Sequence, residues 1–337
     1  MKETEKIIRL KEWLAVPQRI TIVSHTNPDG DAIGSGLAWL RTLESLGHTV
    51  RFIVPNPYPY FLGWMRDIGR VHVYKTAPEE NAAFIADSGL IFCLDFNQLH
   101  RLEALGEAVL ANASAKKILI DHHLAPPDEY DLSFSDTKAS STSYLVYEII
   151  RATGLQAALD YATAESLYVG ISTDTGNFTY GNLTPELFRA VAGLVELGLD
   201  VPRLNIAIYN NFSADRMRLL GYMLDEKMVL LEGCRAAYMT LTLEEQTRYN
   251  FRQGDSEGFV NMPLSIRDVR ISAFFIQTTD CIKVSLRSQG DADVNALARA
   301  CYNGGGHKNA AGGKFFGSMH KAVELFKEAV RPETEPE

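Results

Sequence analysis

The 337-residue sequence predicts an α/β protein: an N-terminal domain built on a parallel sheet covered by helices, followed by a smaller α/β domain. Three observations carry that prediction. In the first half, short β-branched or wholly apolar runs alternate with stretches whose apolar residues recur at helical spacing. Two of those runs, Leu90-Ile91-Phe92-Cys93-Leu94 and Ile118-Leu119-Ile120, are continuously apolar, as expected of strands buried on both faces of a parallel sheet. After about residue 230 strands return with a different texture, and along one of them Lys283, Ser285 and Arg287 alternate with apolar residues.

Taken in order, residues 19–24 read as a β-branched strand ending at His25. Ile33, Leu37, Leu40 and Leu43 then mark a helix that Gly47 closes. Residues 50–54 form a second strand, stopped by Pro55, Pro57 and Pro59, and residues 89–94 and 117–120 form two more. From Ser140 to about Lys227 the pattern is mainly helical, with helices around Leu145–Ile150, 167–171 and 187–197. Thr184-Pro185 starts the last of these and Gly198 stops it. Residues 236–243, 271–277 and 282–286 read as strands, followed by a helix over 293–302. The domain boundary falls in the helical stretch between about 200 and 230, and residues 332–337 read as a frayed acidic tail.

Composition narrows the class. With 46% hydrophobic and 22% charged residues the chain has ample material for a soluble core, and no apolar run approaches the ~18 residues of a membrane span. The charged start lacks the apolar core of a secretory signal, and the four cysteines form no C-x-x-C pair, so we expect reduced thiols in a cytoplasmic protein. The net charge of −9 argues against binding along a long polyanion. Between Met262 and Phe316, however, seven Lys and Arg face four aspartates, a basic segment suited to a short anionic ligand.

The chemistry lies in four acid and imidazole clusters: His25 with Asp29 and Asp31, Asp95, Asp121-His122-His123, and Asp174. Ligands of parallel α/β sheets bind beyond the carboxyl ends of the strands, where His25, Asp95 and Asp121 fall. Three of the four have a plainer alternative. Asp29 and Asp31 can simply cap a helix, Asp95 can be a loop residue, and Asp174 a turn residue. Two adjacent histidines with an acid rarely serve a strand end structurally, and the joint occurrence favours a site. Carboxylates with neutral imidazoles suit Mn²⁺ better than a thiolate metal, and paired ions of this kind cleave phosphate esters. His48, His72, His100 and His320 lack such neighbours and are expected at the surface or in loops. The run Gly304-Gly305-Gly306-His307-Lys308 offers either a phosphate cradle or a flexible hairpin, and the basic strand residues Lys283 and Arg287 with Ser285 strengthen the first.

These residues resemble the DHH phosphoesterase family, named for the triplet present here as Asp121-His122-His123, and the similarity covers nearly the whole chain. The resemblance implies a DHH metal-binding catalytic domain over 1–215, ending in a helical linker, and a DHH-associated substrate-binding domain over 230–332. Size favours the nanoRNase branch, oligoribonucleases that also remove the 3′-phosphate of pAp, since RecJ-type exonucleases carry further domains. It implies two divalent ions, with Mn²⁺ the best match: His25, Asp29 and Asp95 on one, and Asp31, Asp95, His122 and Asp174 on the other. Catalytic roles fall to His123, facing the phosphate, and to Asp121, fixing a ligand histidine. Lys283, Ser285, Arg287, Gly304, Gly305, Gly306, His307 and Lys308 would hold the nucleotide. The implied partners are short single-stranded RNA or small nucleotides such as pAp and no membrane, with a homodimer left open. Cyclic-di-AMP or pGpG cleavage is the alternative activity, and nucleotide binding without catalysis a second.

Overall fold

The computed structural model describes residues 2–124 and 128–331, so the expected tail at 332–337 lies outside the described residues. The chain divides into two compact units, Met1–Asn211 and Phe212–Glu337.

In the first unit α1 (Glu3–Trp13) leads into β1 (Arg19–Val23), α2 (Gly30–Ser45), β2 (Thr49–Val54), β3 (Val71–Val73), α3 (Pro78–Ala86), β4 (Leu90–Leu94), α4 (Ala104–Ala111), β5 (Lys116–Asp121) and β6 (Leu132–Ser135). Four helices follow: α5 (Thr142–Thr153), α6 (Tyr161–Asp174), α7 (Pro185–Glu196) and α8 (Val201–Tyr209). The six strands are parallel in the order β3-β2-β1-β4-β5-β6. β4 is buried along its whole length, and β1 from Ile20 onward. The strand order reverses between β1 and β4, and at such a switch point the connections leave in opposite directions and open a crevice at the carboxyl edge. His25 follows β1 and Asp95 follows β4, so the switch brings together two of the four clusters.

The edge strands β3 and β6 are absent from the sequence reading. β3 has three residues, and β6, Leu132-Ser133-Phe134-Ser135, alternates buried and half-buried positions, so neither carries the continuous apolar run of a central strand. His48 lies in a loop, one of the two positions expected for it, but not at the surface. It is buried in the loop between α2 and β2, its Nδ1 accepts from the Gln18 amide at 3.2 Å, and burial lowers its pKa.

The second unit holds α9 (Ala214–Tyr222), continued by a π-helical turn over Met223–Lys227, then β7 (Val229–Leu231), β8 (Ala236–Leu241), α10 (Leu243–Arg248), β9 (Ile271–Gln277), β10 (Ile282–Ser288), α11 (Val294–Cys301), β11 (Gly305–His307), β12 (Ala310–Phe315) and α12 (Met319–Ala329). Its sheet runs β11-β12-β10-β9-β8-β7, antiparallel except where β8 meets β9. Phe275, Val284, Leu286, Tyr302 and Phe326 fill one side of this sheet under α11 and α12. Leu219, Met239, Phe259 and Phe274 form a second cluster under α9 and the 3₁₀ turn Phe259–Ser265. The strand expected over 236–243 stops at Leu241, because Thr242 caps α10 by accepting from the Glu245 amide while Glu245 reaches back to the Thr242 amide.

Candidate metal centre

Local structure delivers each acid or imidazole of the first unit to the carboxyl edge of its sheet. Asp29 caps α2, its Oδ1 accepting from the amides of Asp31 and Ala32 at 3.0 Å each, so the capping alternative holds for this residue together with its place in the cluster. Asp95 adopts a left-handed backbone (φ 64°) just past β4, a conformation that aspartate tolerates better than most residues, and its amide donates to Ile120 O. Asp31 and Asp174 come from opposite ends of two helices that run antiparallel in close contact, α2 starting at the site and α6 ending there. Glycine makes that approach possible. A Cβ at Gly34 would run into Ser166 O and sit 2.9 Å from the Gly170 amide, and one at Gly170 would sit 2.7 Å from Asp31 Oδ1.

The centre of the arrangement is the Asp95 carboxylate, 2% exposed. Its Oδ2 lies 3.4 Å from His25 Nε2 and its Oδ1 3.5 Å from His122 Nε2. His122 Nε2 also lies 3.4 Å from Asp174 Oδ2 and 4.0 Å from Asp31 Oδ2, and His25 Nε2 lies 4.0 Å from Asp29 Oδ1. Ligand-type atoms lie within 4.8 Å of one another in several groups, among them His25, Asp29 and Asp95; Asp31, His122 and Asp174; and Asp95, Asp121 and His123.

The three histidines fall into two patterns. His25 Nδ1 donates to Thr26 O at 3.0 Å, and His122 Nδ1 faces Ala139 O at 3.3 Å. A carbonyl on Nδ1 holds a proton there, so Nε2 is the nitrogen turned to the carboxylates, where it can shed its proton and offer a lone pair to a metal ion. His123 differs, since its Nδ1 donates to Asp121 Oδ1 at 2.7 Å. Asp121 therefore orients His123, while the Nδ1 of His122 faces a backbone carbonyl. Asp121 is fully buried and its Oδ2 has no hydrogen-bond partner among the described residues.

Charge at this site is one-sided. Burial pushes the Asp31 carboxyl well above the usual range, and the carboxylates of Asp95 and Asp174 add to that. Burial would also raise Asp95, but hydrogen bonds from His122 and His25 hold it well below the usual carboxylate range. Burial disfavours the imidazolium of His25 and His122, yet the surrounding carboxylates outweigh it and raise both. Protons thus gather where negative charge is in excess. Hard carboxylate and imidazole donors crowded in this way, with both ligand tautomers preset, fit divalent cations.

Side chains the sequence reading passed over complete the site. The amides of Thr142 and Ser143, at the start of α5, donate to Asp31 Oδ2 and Oδ1 at 2.7 and 2.8 Å, and Thr142 Oγ1 donates to Asp95 Oδ1 at 3.0 Å. Asn56, just past β2, accepts from the Asn27 amide at 2.7 Å and returns a hydrogen bond to its side chain at 3.0 Å, steadying the loop that carries Asp29. A helix-capping signal in Ser141-Thr142-Ser143 was available in the sequence, but it says nothing about a partner more than a hundred residues away.

The second unit presents a different surface. Gly305-Gly306-His307 is an edge strand, joined to β12 through Lys308-Asn309, so the glycine run forms part of a β-hairpin. Its glycines meet a steric need: a Cβ at Gly304 would strike Gly312 O, and Gly306 (φ 148°) packs against Ala310 O. Register places Arg287, Ala310 and His307 in one cross-strand row and Ser285, Gly312 and Gly305 in the next. Small residues thus form a floor between Arg287 and His307. Lys283 continues that face, whereas Lys308 is drawn to Asp291 at 3.2 Å.

Comparison with known proteins agrees with this layout. Residues 19–171 match the DHH family, N-terminal domain, and residues 235–331 match the DHHA1 domain. A solved exopolyphosphatase-related protein from Bacteroides fragilis is 40% identical with a TM-score of 0.91, over 98% of this chain and 97% of its own. The bifunctional oligoribonuclease and PAP phosphatase NrnA of Thermus thermophilus is 29% identical over 98% of this chain and 94% of its own length. The Bacillus subtilis enzyme of the same name is 27% identical over 88% and 89%.

Proposed function

The chain belongs to the DHH phosphoesterase family, metal-dependent hydrolases of phosphate esters, and from that premise we propose that it cuts short oligoribonucleotides to mononucleotides and removes the 3′-phosphate of pAp. The observation that carries this reading is the Asp95 carboxylate, which turns one oxygen to His25 and the other to His122 at the switch point of the sheet. Two divalent ions, Mn²⁺ by the donor set, would be held by His25, Asp29 and Asp95 and by Asp31, Asp95, His122 and Asp174, supplying Lewis-acid polarisation of the phosphoryl group and a more acidic water.

The rest is the work of side chains. Asp121 on Nδ1 fixes the ring plane of His123, which makes Nε2 the nitrogen for a phosphoryl oxygen. With a second proton on Nε2 the ring would be an imidazolium, a pre-aimed donor that stabilises that oxygen as charge builds during in-line attack by water, and no covalent intermediate with the enzyme is required. Arg287 and His307, on either side of the small-residue floor, would grip nucleotide phosphate, with Lys283 and Ser285 beside them. That face holds few cations in an acidic chain, which suits mononucleotide bisphosphates and oligomers of a few residues. Among the described residues no helix is long and apolar enough to cross a membrane. All four cysteines are free thiols, which supports action in a reducing cytoplasm.

A parallel assay of pAp, RNA of two to five nucleotides, pGpG and cyclic-di-AMP with Mn²⁺ tests the proposal. It predicts turnover of the first two well above the others. Preference for pGpG or cyclic-di-AMP would move the assignment to a dinucleotide phosphodiesterase. No turnover of any of the four would leave a binding protein.

A further inference from the structure

The first turn of α5 touches both halves of the centre. A helix start leaves its leading amides without intrahelical partners. Here Ser141 Oγ accepts from the Tyr144 amide at 3.0 Å, while the Thr142 and Ser143 amides are both taken by Asp31, a carboxylate from another helix. Asp31 thereby fixes where Thr142 stands. Thr142 is fully buried and β-branched, so its side chain has little rotational freedom, and its hydroxyl donates to Asp95 Oδ1. That oxygen also faces His122, and its twin faces His25. Rotation of the Asp95 carboxylate would lose one of these two alignments, and the Thr142 hydroxyl opposes that rotation.

We propose that Thr142 is a positioning residue: it sets the Asp95 carboxylate so that each oxygen serves a different cation, and it ties that setting to Asp31. The inference rests on the reading of Asp95 as a ligand to both ions. Hydrogen-bonding partners of metal ligands typically contribute about 10- to 100-fold to metal affinity. Replacing the hydroxyl by a methyl of similar size in Thr142→Val should weaken Mn²⁺ binding by that factor, measured by calorimetric titration of the metal-free full chain. The thermal midpoint of the metal-free protein should hold near wild type. Excess Mn²⁺ should recover much of the lost kcat with KM unchanged, and Thr142→Ser, which keeps the hydroxyl, should return affinity to within about threefold of wild type, well inside the loss expected on deleting it.

Wild-type Mn²⁺ affinity in Thr142→Val overturns the proposal. So does a Thr142→Ser variant as weak as Thr142→Val, because the methyl and not the hydroxyl would then matter. If Thr142→Val fails to fold, Thr142→Ala serves in its place, and the same loss with rescue by Thr142→Ser is expected. Asp95→Ala separates the layers. Should it bind Mn²⁺ like wild type, the ligand reading itself falls; should it lose binding while Thr142→Val does not, only the Thr142 inference falls.

Discussion

The two units handle charge in opposite ways. In the first, Asp31, Asp95, Asp121 and His122 are buried, and backbone groups or buried side chains fix their orientation. In the second, Lys283 is exposed and Arg287, His307 and Gly305 are half-buried beside a floor of small residues. Buried charges at short range interact strongly and must be held against repulsion, which suits a centre where geometry sets the rate. Basic side chains beside small residues suit the binding of a phosphate group. The contrast supports the proposal that the first unit carries the chemistry and the second the grip, and substitutions should separate the two.

The largest effect is expected at Asp95. On the proposal that Asp95 serves two ions, its loss removes several kcal/mol of transition-state stabilisation, so Asp95→Ala should lower kcat by roughly a thousandfold or more. Mn²⁺ should also cease to raise the thermal midpoint, as it does for any protein whose folded form alone binds it. Full activity of the variant with excess chelator would end the two-ion reading. His123→Ala divides the buried unit further: kcat should fall by about 10²- to 10³-fold, the usual loss for one oxyanion donor, while elemental analysis still finds the metals. Metal lost in step with activity would make His123 a ligand instead.

Gly170→Ala tests the packing beneath the centre. The added methyl meets Ser143 and Asp31, and overpacking of this kind costs about 1–3 kcal/mol of stability. Mn²⁺ affinity should fall further than a substitution of equal stability cost elsewhere in α6. In the second unit, Arg287→Ala should raise KM for both pAp and dinucleotides by about tenfold, the value of one charge-assisted hydrogen bond, with metal content unchanged. An unaltered KM would place the substrate path elsewhere.

The smallest effect lies outside both sites. Glu245 receives hydrogen bonds from Lys227 and Tyr222 at 2.7 Å each and from the Thr242 amide at 2.8 Å. Burial opposes its ionisation, but these donors outweigh burial and hold its pKa below the usual carboxylate value. A depressed folded pKa gives stability that is present above the unfolded value, about 4.3, and lost as pH falls through the folded one. Glu245→Gln should therefore cost about 0.5–1 kcal/mol at neutral pH, with the gap closing in melts below pH 4. A constant gap would assign the loss to packing.

Much of this was legible in the sequence because it is local. Apolar and β-branched runs identify β1, β4 and β5 as strands, and residues at the end of such a strand lie at the sheet edge whatever surrounds them, so His25, Asp95 and Asp121 could be placed there without a structure. Alternation along β10 likewise put Lys283, Ser285 and Arg287 on one face. Tertiary structure decided what depends on distant partners. Only the strand order sets β1 beside β4, only the missing side chains of Gly34 and Gly170 let Asp31 approach Asp174, and only register turns the glycine run into a hairpin. Asp121 found His123 rather than His122, and Thr142 found Asp95 across 47 residues of chain. Hydrogen bonds and close contacts of this range leave no periodicity in the sequence, since each is fixed by where two separate elements come to rest.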